Sequence, residues 1–116
     1  MQENNEIKLE QRGEATILNI RGDVTSFSEI PFKESYRRIC DQNARKIILN
    51  FERDAYINSG GIALLIQLMY QARENKQMAA ITGISEHFKK IFNMVGITKF
   101  ADLFDSVDEA MQSWEA

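Results

Sequence analysis

Hydrophobic and polar residues follow two different periods along the chain, which predicts interleaved strands and helices. In residues 6–11 the apolar Ile7 and Leu9 alternate with charged neighbours, a pattern typical of a half-exposed strand. A turn at 11–14 leads into a second strand at 15–21, and the short connection predicts that the two strands are antiparallel. Apolar runs predict further strands at 46–51, at 78–82 and, more weakly, at 100–104.

Apolar residues at helical spacing predict four helices between and after these strands. Ser28 is expected to cap the first helix, because a serine hydroxyl accepts hydrogen bonds from first-turn N–H groups, and Ser85 is expected to begin the third. Leu64 and Leu68 form a second apolar line on the second helix, which we expect to be partly exposed. The predicted helices span residues 28–43, 60–75, 85–95 and 106–114.

The order of these elements predicts the fold class. Strands that alternate with helices form mostly parallel sheets with right-handed crossover connections. We therefore expect one α/β domain over residues 1–116, with four or five strands and with about four helices mainly on one side of the sheet.

Composition and charge argue against nucleic-acid binding and against membrane insertion. The formal net charge is −3 and no block of like charges occurs, so a basic surface for nucleic acid is not expected. No apolar run approaches the roughly 20 residues that span a bilayer. Residues 1–6 also lack the basic and apolar regions of a signal peptide. We expect a cytoplasmic protein without membrane insertion, and the single cysteine, Cys40, cannot form an internal disulfide.

A serine followed by two glycines stands where the strand at 46–51 feeds the second helix. Ser59 is predicted to be the N-cap of that helix, a contact worth about 1 kcal/mol. Free N–H groups and the positive end of the helix dipole meet at such a position and favour an anion there. Ser59 is therefore either an ordinary helix cap or a serine placed to carry a phosphate.

The sequence contains no clear motif for nucleotide binding, for a zinc site or for a catalytic triad. Gly60 and Gly61 lack the spacing of a P-loop or of a dinucleotide fingerprint, which leaves a small nucleotide-binding module as the weakest interpretation. His87 is the only histidine, so neither a zinc site nor a catalytic triad with Ser59 can be assembled convincingly. We expect no catalytic residues, no metal and no cofactor.

Four segments of the chain form a pattern in their order and spacing: residues 18–24 (Leu-Asn-Ile-Arg-Gly-Asp-Val), 46–51 (Lys-Ile-Ile-Leu-Asn-Phe), 57–62 (Ile-Asn-Ser-Gly-Gly-Ile) and 91–100 (Ile-Phe-Asn-Met-Val-Gly-Ile-Thr-Lys-Phe). Together they resemble the STAS family, the domains shared by sulfate transporters and anti-sigma factor antagonists. The last segment, with the residues that follow it, looks like the ending of the single-domain antagonists.

The resemblance implies a phosphoacceptor. The usual family turn is Asp-Ser-Ser/Ala-Gly, and the serine after the acidic residue is phosphorylated by a partner kinase. Carried over to this chain, the acceptor is Ser59 and the family glycine is Gly61. Asn58 stands in place of the acidic residue, so no negative charge lies beside the acceptor, and Gly60 replaces the commoner serine or alanine.

The resemblance also implies partners. A serine-kinase anti-sigma factor of the histidine-kinase-like ATPase fold would bind while Ser59 is unphosphorylated, phosphorylation would weaken the complex, and a metal-dependent serine phosphatase would reset it. The chain would then act in transcription regulation by partner switching, without being an enzyme. The contact surface is expected on the loops 23–27 and 54–59 and on the first turns of the second helix. Its candidate residues are Asp23, Thr25, Asp54, Tyr56, Asn58, Gly60, Gly61 and Ile62.

An alternative function remains within the same family. The Gly60–Gly61 pair resembles STAS subunits of lipid-transport ABC systems, and the Asn58–Ser59 turn resembles stress-signalling scaffold proteins. The alternative is therefore a subunit or scaffold of a lipid or anion transporter, or of a signalling complex, that is not switched by phosphorylation.

Overall fold

The computed structural model describes residues 5–52 and 54–115, in which nine strands and helices alternate much as the sequence predicts. Two short 3-10 turns lie at Ser26–Ser28 and Ile97–Lys99. The first four residues, on which the expectation of no signal peptide partly rests, are outside the described ranges. The strands are β1 (Glu6–Arg12), β2 (Ala15–Arg21), β3 (Lys46–Phe51), β4 (Met78–Thr82) and β5 (Asp102–Phe104). The helices are α1 (Glu29–Asp41), α2 (Ser59–Glu74), α3 (Glu86–Val95) and α4 (Val107–Glu115).

The five strands form one sheet in the order β1-β2-β3-β4-β5. β1 and β2 are antiparallel, with Leu9 opposite Leu18, and the other neighbouring strands are parallel. Gly13 begins the two-residue turn between β1 and β2 with a φ of 59°, as a type II′ hairpin turn requires of its first central residue. The predicted α/β class and mostly parallel sheet are confirmed.

The helices divide unequally between the two faces of the sheet. Parallel neighbours joined by right-handed crossovers place their connecting helices on one face, and α1, α2 and α3 share the larger core there. Phe32, Leu65 and Phe92 are fully buried in that core. α4 covers part of the opposite face, where Ala110 packs with Ile17 and other strand residues. The prediction that helices lie mainly on one side is therefore confirmed.

Two local predictions are wrong. Leu64 and Leu68 are buried rather than partly exposed, because α2 is flanked by α1 on one side and by the 3-10 turn after α3 on the other. Ser28 does not cap α1, since its own backbone is already helical. Its hydroxyl instead accepts from the Thr25 N–H at 3.0 Å, and Thr25 caps the 3-10 turn that leads into α1. Within the described residues, no helix is long and apolar enough to cross a membrane.

Candidate functional site

The residue that caps α2 is Asn58 and not Ser59, which corrects the sequence prediction. Asn58 has extended backbone angles, and its Oδ1 accepts from the Gly61 N–H at 2.9 Å. The first helical backbone bond also returns to Asn58, whose carbonyl accepts from the Ile62 N–H at 2.9 Å. Asparagine and serine cap helices about equally well, so sequence propensity could not decide which of the two holds the position. Ser59 is the first residue of the helix itself.

This shift of one residue leaves the Ser59 hydroxyl unused by the fold. The side chain is exposed, and no group of the described residues forms a hydrogen bond with it. The first turn of α2 carries no acidic residue to balance the positive end of the helix dipole. The N–H groups of Ser59 and Gly60 precede the first intrahelical bond, so they remain available to an anion.

The chain segment before α2 is fixed by a neighbouring loop. We call residues 56–61 the α2 turn. Val24 and Ile57 form an isolated parallel bridge. In it the Val24 N–H donates to the Tyr56 carbonyl at 2.8 Å, and the Asn58 N–H donates to the Val24 carbonyl at 3.0 Å. Val24 and Ile57 are both buried, so the backbone leading to Ser59 is anchored to the core.

Gly61 is required by this crossing of two chain segments. A Cβ atom at Gly61 would lie only 2.2 Å from the Val24 carbonyl oxygen, closer than atoms can approach without moving the backbone. At Gly60 the nearest atom to a Cβ would be the Ser26 backbone nitrogen at 3.0 Å. The Gly-Gly pair therefore lets the loop after β2 approach the N-terminus of α2.

Asp23 also connects the loop after β2 to the segment that precedes α2. Its Oδ1 accepts from the Tyr56 N–H at 3.1 Å, and its carbonyl accepts from the Asn5 side-chain amide at 2.9 Å. Thr25 accepts from the Phe27 N–H and so shapes the 3-10 turn beside Gly60. Asp23 and Thr25 were predicted as partner-binding residues, and in the structure both also order the loop that borders Ser59.

Most of the predicted site residues are brought together at this edge of the sheet. Asp23 accepts directly from Tyr56, Tyr56 and Asn58 are linked through Val24, and Gly60 and Gly61 lie in the adjoining helical turn. Ile62 is half-buried and packs against the core, which leaves only part of it for a partner. Asp54 is exposed, and no hydrogen bond or ion pair within the described residues joins it to the α2 turn.

Two aromatic residues at this edge were not singled out by the sequence. Phe27 is 58% exposed on the 3-10 turn that packs against α2. Phe88 of α3 meets the ring of Tyr56 edge to face, with ring centroids 6.1 Å apart, while Tyr56 itself stays 58% exposed. The helical spacing of α3 does not reveal which loop lies above Phe88, so the sequence gives no signal for this contact.

A charged pair lies at the ends of β2 and β3. There the Arg21 Nε lies 2.7 Å from the Glu52 Oε1, and this contact raises the pKa of the exposed Arg21 guanidinium. In the described parts of the chain, no group of three or more His, Cys, Asp and Glu side chains is arranged to hold a metal ion. What the α2 turn offers is an exposed hydroxyl on a rigid helix N-terminus.

The STAS domain family model matches residues 6–110, so the chain belongs to that family.

Several solved structures share the fold of this chain. The phosphorylated form of the Bacillus cell fate determinant SpoIIAA is 20% identical with a TM-score of 0.68, over 93% of this chain and 98% of that chain. The unphosphorylated form of SpoIIAA, an anti-sigma factor antagonist, is matched at 16% identity and a TM-score of 0.68, over 95% and 97%. An anti-sigma factor antagonist from Mycobacterium paratuberculosis is 9% identical with a TM-score of 0.76, over 97% and 95%.

Proposed function

We propose that this chain is a phosphorylation-switched anti-sigma factor antagonist, with Ser59 as the phosphoacceptor. In its unphosphorylated form it binds a serine-kinase anti-sigma factor of the histidine-kinase-like ATPase fold. The kinase transfers phosphate to Ser59 and the complex weakens, and a metal-dependent serine phosphatase restores the binding form. The chain supplies the acceptor hydroxyl, while the alignment of ATP is the work of the kinase.

The observation that carries this proposal is the free Ser59 hydroxyl at the first position of α2. Because Asn58 provides the cap, phosphate can be added to Ser59 without removing a hydrogen bond that stabilises the helix. A phosphoserine adds about −1.5 to −2 charges. The helix dipole favours those charges at the N-terminus, so the domain itself has no need to change its fold.

The same charge acts against a partner that packs over this surface. Tyr56 and Phe27 are exposed aromatic side chains on the two chain segments next to the α2 N-terminus, and aromatic residues commonly anchor protein interfaces. A phosphate on Ser59 would have to lose its water when a partner docks over this surface. Burying a charge without a counter-charge is costly, so phosphorylation lowers the affinity.

The likeness to SpoIIAA supports the proposal. That protein has been solved in a phosphorylated and in an unphosphorylated form, and both forms share the present fold with the same TM-score of 0.68. A domain that carries phosphate without changing its fold is what the geometry at Ser59 leads us to expect here.

Binding measurements with Ser59 variants test the proposal. The partners are serine kinases of the histidine-kinase-like ATPase fold from the same genome, each with and without ATP. Ser59→Ala should bind like wild type but resist release by ATP, whereas Ser59→Asp should bind at least about tenfold more weakly. Ser85→Ala is the matched control, since it removes a serine from the neighbouring helix N-terminus and should leave both binding and release unchanged. Equal affinity of Ser59→Ala and Ser59→Asp for the kinase would contradict a charge-operated switch.

The alternative of an unswitched transporter subunit or scaffold draws on Asn58, which leaves the acceptor without a neighbouring negative charge. The two functions differ in partner. A chain of the alternative kind would co-purify with a transporter ATPase or a larger assembly, and its affinity would be the same for Ser59→Ala and Ser59→Asp.

A further inference from the structure

β1 is a long strand at the edge of the sheet. It pairs with β2 on one side, and no strand of the described residues pairs with its other side. β1 has seven residues, whereas β5, at the opposite edge, has only three. Long edge strands present unpaired backbone groups to other chains, and short ones largely avoid this. The edge at β1 is therefore the one that can add another strand.

The hairpin fixes which backbone groups of β1 point outward. Its two-residue turn is closed by the pair Arg12 and Ala15, which a type II′ turn joins by a backbone hydrogen bond. Bonded and non-bonded residues alternate along an antiparallel pair. The N–H and C=O groups of Ile7, Leu9 and Gln11 therefore point away from β2, toward the open edge.

The charges of β1 form a self-complementary sequence about Leu9. In the order Glu6-Ile7-Lys8-Leu9-Glu10-Gln11-Arg12, each charged residue has an opposite charge at the position related by reversal. If Leu9 lies opposite Leu9 of an antiparallel copy, Lys8 faces Glu10 and Glu6 faces Arg12. A strand that bore like charges at these positions would repel its own copy.

We infer that β1 pairs with β1 of a second copy of this chain, antiparallel and centred on Leu9. Leu9 with Leu9, and Ile7 with Gln11, would each exchange both backbone hydrogen bonds of a bonded pair. Lys8 then faces Glu10 in a non-bonded pair, where side chains lie closest. Lys8 forms no ion pair with the described residues of its own chain, so its charge is available to the second copy.

Pairing of the two β1 strands about a residue other than Leu9 is less favourable. Because the outward groups belong to odd-numbered residues, these residues must face one another, and the twofold axis can pass through any single residue of the strand. An axis through Lys8 or Glu10 would place two like charges directly opposite each other, and an axis through Ile7 or Gln11 would shorten the overlap. Only Leu9 overlaps all seven residues of the strand. The contact is small and carried by one strand, so we expect a dimer that depends on concentration and salt.

Pairing through β1 does not cover the surface around Ser59 that the proposed switch uses. β2 is antiparallel to β1 in each copy, so the parallel strands of the two copies run in opposite directions across a continuous ten-strand sheet. The two α2 turns then lie at opposite ends of the assembly. Dimerisation and switching at Ser59 are independent, and either can fail without the other.

Charge reversal at β1 tests the pairing, with sedimentation equilibrium as the measurement. Wild type should approach twice the chain mass of 13.4 kDa as its concentration rises, with a dissociation constant that increases with salt. Lys8→Glu and Glu10→Lys should each weaken self-association by about tenfold or more, because each places like charges opposite one another. An equimolar mixture of the two variants should associate again. In the mixed pair, one chain carries acidic side chains at positions 8 and 10, and they face basic side chains at both positions of the other chain.

Lys90→Glu is the matched control, because it makes the same charge change at an exposed position on α3 and should leave self-association as in wild type. Circular dichroism of each variant checks that it is folded. Wild type at the single-chain mass at every concentration would overturn the inference. A salt-independent dimer, a dimer weakened equally by Lys90→Glu, or folded variants that fail to associate when mixed would overturn it as well.

Discussion

The N-termini of α2 and α3 lie at the same edge of the sheet, and each contains a serine, but the two serines occupy different positions. Ser85 is the N-cap of α3, and its hydroxyl accepts from the Phe88 N–H at 3.3 Å. Ser59 follows the N-cap of α2 and is equivalent to Glu86 of α3. In α3 the fold uses the serine and adds a permanent negative charge after it. In α2 the fold uses Asn58 and leaves a neutral hydroxyl at the place where that charge would be.

The two serines show how a structural serine differs from a candidate phosphoacceptor: one caps its helix, and the other follows the capping residue. Phosphorylation of Ser85 would remove a cap and place new charge beside Glu86, whereas phosphorylation of Ser59 would supply α2 with the first-turn charge that it lacks. A serine at a helix N-terminus becomes a candidate for modification when another residue caps the helix.

The third helical position gives the largest expected effect on stability. It is Gly61 in α2 and Phe88 in α3, because only α2 is crossed there by another segment, through Val24. Gly61→Ala should lower the free energy of unfolding by about 2–3 kcal/mol through overpacking against the Val24 carbonyl. Urea unfolding measures this. Gly60→Ala is the control and should cost clearly less, since its closest contact is 3.0 Å. Equal losses would mean that the crossing at Val24 does not constrain the α2 turn.

The two serines should differ in their contribution to stability. Ser85→Ala removes a side-chain cap and should cost about 1 kcal/mol. Ser59→Ala removes an exposed hydroxyl without a partner and should change the free energy of unfolding by less than about 0.5 kcal/mol. Thermal and urea unfolding of the two variants, measured together, check this difference. A larger loss for Ser59→Ala than for Ser85→Ala would mean that Ser59 has a structural role.

The sequence predicted much of this arrangement and failed at particular positions. Apolar periodicity sufficed for the parallel strands and the main helices, because the burial of those residues decides their structure. The capping residue of α2 was misassigned, because Asn58 and Ser59 are both good caps and only the backbone angles distinguish them. The contact of Phe88 with Tyr56 depends on packing between distant segments, for which the local sequence carries no signal.

Asn58→Asp should have a small effect on stability, opposite in sign to the losses above. Aspartate keeps the cap and adds a charge at the positive end of α2, so the free energy of unfolding should rise by only about 0.3–1 kcal/mol. The change restores the commoner family residue, and the new carboxylate lies beside the hydroxyl that receives the phosphoryl group. We expect altered phosphorylation rate or partner affinity, measured at fixed salt against wild type. Asn58→Ala, which removes the cap, is the matched variant and should instead cost about 1 kcal/mol. Unchanged rate and affinity for Asn58→Asp would mean that residue 58 serves only the turn.

Phosphosite mapping decides whether Ser59 is the phosphoacceptor. Wild type, Ser59→Ala and Ser85→Ala are incubated with the binding kinase and ATP, and the modified residues are located by peptide mass spectrometry. We expect one phosphate on Ser59 in wild type and in Ser85→Ala, and none in Ser59→Ala. Phosphate on Ser28, Ser85 or Ser106 with Ser59 unmodified would contradict the assignment of Ser59 as the acceptor.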